Sequence, residues 1–215
     1  MKLDRAFSAP FYMARHGESK ANRFNRVAGC EWDVPLTDKG CEQAYALAQT
    51  ILTMDNKPTV IFSSPLQRAF KTASIVAAEI GADVHMIYDL REQGLGSWNK
   101  QKYYVLREQF ERGDEPQDGE TQQAYMRRVL MALGQMQDEA SALDVQSPPL
   151  VVAHGGLFYA LAQITKTFHG MKEIGNCSLY RFGPCQIGDK RLFQVQQVLV
   201  EQGDAILRRA PFSPR

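Results

Sequence analysis

The sequence predicts an α/β protein, a three-layer α/β/α sandwich around a mostly parallel sheet, with an inserted lid-like segment. Three observations lead there. Short apolar runs of strand length alternate with helix-length stretches, the pattern of a sheet covered on both faces. In one of those stretches Tyr125, Val129, Leu133 and Met136 recur at helical spacing and mark a single apolar face. The last two strand-like runs are separated by the turn-rich "GPCQIGDK", which suits an antiparallel hairpin at a sheet edge.

The strands fall at 10–14, 59–63, 83–89, 149–153, 177–182 and 191–200, and the helices at 37–54, 65–80, 99–112, 121–140 and 156–166. The polar stretch 93–120 carries few strong signals and reads as a lid or substrate-shaping insertion. The end of the chain, 209–215, reads as a flexible tail. Neither a repeat nor a linker interrupts the chain, so 1–215 is expected to form one domain. A domain of this length buries roughly 70% of its unfolded surface and needs no disulfide or metal to hold it together.

Composition narrows the function. With 44% hydrophobic residues, 23% charged residues and a net charge of +1, the chain has no electrostatic footprint for nucleic acid or an anionic membrane. No apolar stretch approaches transmembrane length, and the first residues hold too short an apolar core for a signal peptide. Cys30, Cys41, Cys177 and Cys185 show neither a CxxC pair nor zinc spacing, and read as reduced thiols of a cytoplasmic protein.

Three strand ends carry the same kind of chemistry. The first run ends in Arg15-His16-Gly17, the second leads into "SSPLQRA" with Arg68, and the fourth ends in "AHGG" with His154. Open α/β sheets bind ligands beyond the carboxyl ends of their strands, where helix N-termini favour anions. At the second junction Ser64 suits an N-cap and Pro65 the first helical position, which puts Arg68 in the first turn. A cation there opposes the helix dipole, and a phosphate would compensate it. At the fourth junction Gly155-Gly156 allows a sharp turn and a close approach to a ligand. If the first and fourth strands are neighbours, the two histidines start roughly 5 Å apart.

These stretches resemble the histidine phosphatase superfamily, the phosphoglycerate mutase-like proteins. "ARHGESKAN" (14–22) is similar to the Arg-His-Gly-Glu signature. "GCEWDVPLTDKGCEQA" (29–44), "SSPLQRAFKTA" (63–73), "LREQGLGSW" (90–98), "AHGG" (153–156) and "GNCSLYRF" (175–182) follow in family order. The resemblance implies that His16 is the nucleophile, forming a covalent phosphohistidine. It implies that Arg15, Arg68 and His154 bind the phosphate oxygens, that Asn22 contacts phosphate, and that Gly155 belongs to the phosphate-binding turn. Glu92 takes the position of the proton donor and must be protonated when it acts. The scheme uses no metal and no cofactor. Its partner is a small phosphorylated substrate, and it leaves the oligomeric state open, a homodimer included.

Departures bear on the reaction. The family's "WEG" is here Trp98-Asn99-Lys100, and 100–121 does not match the arginine-containing insertion of the mutase branch. "PQDGET" is more similar to the "P.GES" stretch of the phosphatase branch, which favours hydrolysis over mutase chemistry. A non-catalytic binding module on the same fold would be expected to lack one of His16, Arg68, Glu92 or His154. Cys185 and Arg191 fit the Cys-x5-Arg spacing of cysteine phosphatases, but Arg191 opens an extended run and Asp189 would repel phosphate. A zinc site built on His16, Glu18 and His154 would place two arginines beside the cation. His85 and His169 read as structural or solvent-facing, Trp32 and Trp98 as packing residues. Glu120 reads as a substrate-positioning acid or a favourable charge near a helix N-terminus, and exposure of Cys30 would make it a candidate reactive thiol.

Overall fold

The computed structural model describes residues 3–165, 174–184, 193–201 and 204–209. Seven strands form one sheet: β1 (Phe11–Arg15), β2 (Val60–Ser63), β3 (Asp83–Met86), β4 (Leu150–Ala153), β5 (Leu179–Pro184), β6 (Phe193–Glu201) and β7 (Asp204–Arg209), in the order β3-β2-β4-β1-β5-β6-β7. The β1–β4, β2–β4 and β2–β3 pairs are parallel, while β5, β6 and β7 continue the sheet antiparallel. Parallel neighbours need crossovers, and the helices between them supply these.

Alternation along each strand divides the core in two. Phe11, Met13, Phe62 and Val151 face α6 (Gln122–Ala142) and α7 (Gly155–Thr165). Tyr12, Ala14, Ile61 and Val152 face α3 (Asp38–Leu52) and α4 (Gln67–Ile80). The three-layer sandwich follows, because each helix offers one apolar stripe to its side of the sheet. The predicted face of α6 is the one buried: Tyr125, Val129, Leu133 and Met136 are all in the core.

Several boundaries differ from the sequence reading, each for a physical reason. The third strand stops at Met86, because it is an edge strand whose only partner, β2, ends there at the Ser63–Met86 pair; Tyr88–Leu90 then form a 3₁₀ turn. α4 starts at Gln67 rather than Pro65. The Ser64 hydroxyl is engaged with His154, and the cap comes from a distance: the Asp33 carboxylate accepts the Gln67 N–H at 3.0 and 3.1 Å. β5 and β6 do form an antiparallel pair, but the sheet continues into β7, so they are not its edge. Arg209, assigned to the flexible tail, ends β7; the rest of that tail lies outside the described residues, as do His169, Cys185 and Arg191. Two one-turn helices also escape the periodicity, α1 (Leu3–Ala6) and α2 (Lys20–Arg23).

Residues 93–120 begin with a 3₁₀ turn (Gly96–Trp98), and α5 (Tyr103–Arg112) follows. α5 starts four residues later than its helical pattern, since Lys100 takes a left-handed φ of 68°. The segment rests on the loop after α2: Val27 N–H bonds to the Gln101 carbonyl and Lys100 N–H to that of Val27. Asn99, where the family's "WEG" has its acid, donates to Glu31 and accepts from Gly29 N–H, pinning the two loops together. A small cluster of Val27, Leu95 and Leu106, with Trp98 and Phe110, fills the space between them.

Candidate active site

The carboxyl ends of β1, β2 and β4 lie side by side, and the residues that follow them build the site. Arg15 is opposite Ala153 in the β1–β4 register, and the His16 N–H continues the ladder to the Ala153 carbonyl at 2.9 Å. His16 and His154 therefore leave adjacent strands together, with ring centroids 5.2 Å apart. Ser64, just past β2, continues the ladder on the other side of β4 and shares a 2.8 Å hydrogen bond with His154 Nε2.

Both histidines are removed from water, His16 being 4% and His154 0% exposed. His16 Nδ1 lies 2.7 Å from the Gly17 carbonyl. A carbonyl only accepts, so Nδ1 carries the proton and Nε2 presents a lone pair. Burial, then the Arg68 and Arg15 charges, holds the His16 pKa well below the ordinary 6.5, with the Gly17 carbonyl opposing. His154 is held down by burial first and then chiefly by Arg68. Both rings are neutral near pH 7.

Arg68 is 1% exposed, an unusual place for a guanidinium. Its Nη2 donates to the Ala28 and Gly29 carbonyls at 3.2 and 3.3 Å. Nη1 lies 3.6 Å from Asp33 Oδ1 but makes no hydrogen bond. His154 Nδ1 is likewise buried without a hydrogen-bond partner among the described residues. Burial of donors without acceptors is costly, and an anion arriving here would relieve it. Arg15 Nη1 donates to the Ile174 carbonyl at 2.6 Å.

Glycines decide how closely these parts approach. A Cβ on Gly17 would run into the Gly40 carbonyl, and one on Gly40 into that of Glu18, so the first turn of α3 lies directly on the loop after His16. Gly155 and Gly156 do not supply a left-handed turn; both are helical residues of α7. A Cβ on Gly156 would strike the Glu92 carboxylate and the Tyr125 hydroxyl, whereas one on Gly155 would make only ordinary contact, 3.6 Å from Arg15 Nε. Asn22 uses its Oδ1 in the capping box of α2, accepting from Ser19 N–H and Oγ, so only its Nδ2 is left to meet a phosphate.

Glu92 joins the group through Gly156, whose N–H donates to Oε2 at 3.1 Å. Its surroundings include residues the sequence did not single out as functional. Tyr125 hydroxyl donates to Glu92 Oε1 at 2.9 Å. Arg128, one turn further along α6, donates to the Asp89, Arg91 and Glu92 carbonyls and forks onto Glu120 at 2.9 and 2.6 Å. Glu120 thus grips the 92–94 segment, also accepting from Gly94 N–H. A tyrosine and an arginine three apart on a core helix were the available signal, but Tyr125 also fits the apolar face. Thr72, a turn after Arg68, accepts from Gly17 N–H at 3.0 Å, and Asn176 donates to the His16 carbonyl at 2.8 Å.

The other flagged residues stand apart. His85 lies on β3 against Phe62, and Trp98 packs edge-on to Phe110. Burial and the Glu31 charge raise the Cys30 thiol pKa, and burial pushes that of Cys177 up to about 12, so neither is an activated thiolate. Among the described residues no helix is long and apolar enough to cross a membrane.

The family model for the histidine phosphatase superfamily (branch 1) matches residues 11–189. A protein named probable phosphoglycerate mutase GpmB from Citrobacter koseri is 34% identical over 190 residues, covering 79% of this chain and 82% of that protein. Its namesake from Escherichia coli is 33% identical over 188 residues, with the same coverage. Among solved structures, mycobacterial glucosyl-3-phosphoglycerate phosphatase in complex with VO3 gives a TM-score of 0.72 at 25% identity, covering 87% of this chain and 97% of that one. Bacillus stearothermophilus YhfR gives 0.70 at 25%, covering 91% and 96%. With its motifs gathered at one end of the sheet and the family match spanning most of its length, this chain belongs to the histidine phosphatase superfamily.

Proposed function

We propose that the protein is a metal-independent phosphomonoester hydrolase that works through a phosphohistidine on His16, with a small phosphorylated metabolite as substrate. The observation that carries this reading is the state of His16: buried, neutral, its Nδ1 proton held by the Gly17 carbonyl and its Nε2 free, between two guanidinium groups. Such a nitrogen is a competent nucleophile toward phosphorus.

The remaining groups match what phosphoryl transfer requires, which is placement and neutralisation of oxygen charge. Arg15 and Arg68 supply that charge, and forked guanidinium donors suit phosphate oxygens. His154 adds a donor if Ser64 Oγ donates to Nε2, for then Nδ1 carries the proton and faces no competing acceptor. Glu92 protonates the departing oxygen and takes a proton from the attacking water in the second step. The two arginines weigh against a cation bound between the histidines.

The relatives' names favour a second reading, transfer of the phosphoryl group to another hydroxyl in the manner of a phosphoglycerate mutase. Water and a hydroxyl acceptor differ only in the second half-reaction, so the same His16 chemistry serves both. Phosphate release from 4-nitrophenyl phosphate, measured in chelator with wild type and His16→Ala, tests the nucleophile. Activity that survives in the variant overturns it. Interconversion of phosphoglycerate isomers, with and without a bisphosphate primer, separates the mutase from the phosphatase.

A further inference from the structure

The inference concerns Glu92 and rests on the phosphatase reading above. Glu92 sits in a loop beyond the 3₁₀ turn Tyr88–Leu90, with no strand or helix to orient it. Its carboxyl is nevertheless held from three sides. Oε1 accepts from the Tyr125 hydroxyl at 2.9 Å and from Gln93 N–H at 2.9 Å, while Oε2 accepts only Gly156 N–H, at 3.1 Å. A carboxylate oxygen offers two lone pairs in its plane. Both are engaged on Oε1, and one is left on Oε2.

We propose that Tyr125 is a positioning residue of the reaction, whose hydroxyl occupies Glu92 Oε1 so that the transferred proton is carried on Oε2, beside Gly156 and the first turn of α7. In the first step the His16 Nε2 lone pair forms the bond to phosphorus. The ester P–O bond breaks, its electron pair stays on the leaving oxygen, and that oxygen takes the proton from Oε2, leaving a carboxylate and an alcohol. In the second step Oε2 takes a proton from water as its oxygen attacks phosphorus and the P–N bond breaks. Oε1 keeps its two donors throughout.

The placement of Tyr125 fits this role better than simple filling of space. A phenylalanine would complete the apolar face of α6 equally well, yet the buried hydroxyl is aimed at the one acid of the site. Burial first, and then the Glu92 charge, raises the phenol pKa well above 10, so it remains a donor over the working pH range. The same helix fixes the frame. Arg128 lies with its guanidinium 4.9 Å from the Tyr125 ring centre and holds the backbone of 89–92 through three carbonyls. Carboxyl and backbone are thus both positioned from α6.

The test compares wild type, Tyr125→Phe, Glu92→Gln and the double variant on 4-nitrophenyl phosphate, whose leaving group departs without help, and on glycerol phosphate, whose leaving group needs a proton. Tyr125→Phe is expected to leave KM within about 2-fold and to lower kcat on glycerol phosphate about 10-fold, with little loss on 4-nitrophenyl phosphate. In the Glu92→Gln background the same change should cost less than about 2-fold, because the group it positions is gone. Equal loss on both substrates, or an undiminished loss in the Glu92→Gln background, overturns the proposal. Should Tyr125→Phe fail to fold, Arg128→Lys, which loses the fork onto Glu120, is expected to show the same selective loss, and a uniform loss there refutes it. Trapping of labelled phosphate on His16 separates the two levels. Label in wild type and Tyr125→Phe without substrate selectivity defeats only the positioning role, whereas no label in wild type defeats the phosphatase reading and this inference with it.

Discussion

Acidification should unfold this protein in a way traceable to two rings. His16 and His154 are fully removed from water, and burial together with neighbouring guanidinium charge holds each pKa well below 6.5. In the unfolded chain both titrate near 6.5. Below that pH the unfolded chain takes up protons that the folded chain refuses, so stability falls as pH falls. The contribution is intact above about pH 6.5 and is lost progressively below it, down to the depressed folded values. Each proton difference is worth about 1.4 kcal/mol per pH unit, so from pH 7.5 to 5.5 each histidine removes about 1.4 kcal/mol and the pair about 2.7 kcal/mol. Urea unfolding at those two pH values, for wild type, His16→Asn and His154→Asn, isolates the effect, since the other titrating groups cancel in the comparison. Each variant should lose about 1.4 kcal/mol less than wild type. Equal losses would mean that the folded protein protonates its histidines, and the neutral nucleophile would fall with that result.

Three further outcomes are expected. Arg68→Met should lower kcat/KM for phosphomonoesters by about 100- to 1,000-fold while leaving stability unchanged or higher by about 1 kcal/mol, since it removes a buried charge with an unbonded donor; thermal unfolding beside kinetics checks both. Gly156→Ala should displace the Glu92 carboxylate and the Tyr125 hydroxyl, costing about 1–3 kcal/mol in urea unfolding and more activity on poor leaving groups than on good ones. Cys177, with its thiol pKa near 12, should remain unmodified by iodoacetamide at pH 7.5 in the folded protein, as read by peptide mass mapping.

The sheet and the ends of its strands could be read in the sequence because their signals are local. A buried strand is a run of apolar residues, and Arg15-His16, Arg68 and His154 follow such runs directly. What closes the site could not be read, because it is made by partners far apart in the chain. Asp33 caps a helix that begins at Gln67, Ser64 turns from capping to bond His154, and Tyr125 reaches Glu92 from a face whose periodicity says only "core". β7 was missed for a different reason. "DAILRR" is short and ends in two arginines, and only the ladder to β6 makes it a strand.

The parts of the site that the sequence showed and those it hid divide by function. The legible residues concentrate positive charge and unbonded donors at one buried point: Arg68 Nη1 and His154 Nδ1 have no hydrogen-bond partner, and only Asp33 lies near the former. Left alone, that arrangement works against folding. The hidden residues are fully engaged. Asp33, Thr72, Asn176 and Arg128 each tie a segment of the site to another element. The second set holds the first in place without neutralising it, because an internal acceptor on Arg68 Nη1 or His154 Nδ1 would compete with the phosphate. The unbonded atoms are therefore the part of the site reserved for substrate, and the surrounding hydrogen bonds are what make that unfavourable arrangement stable enough to persist.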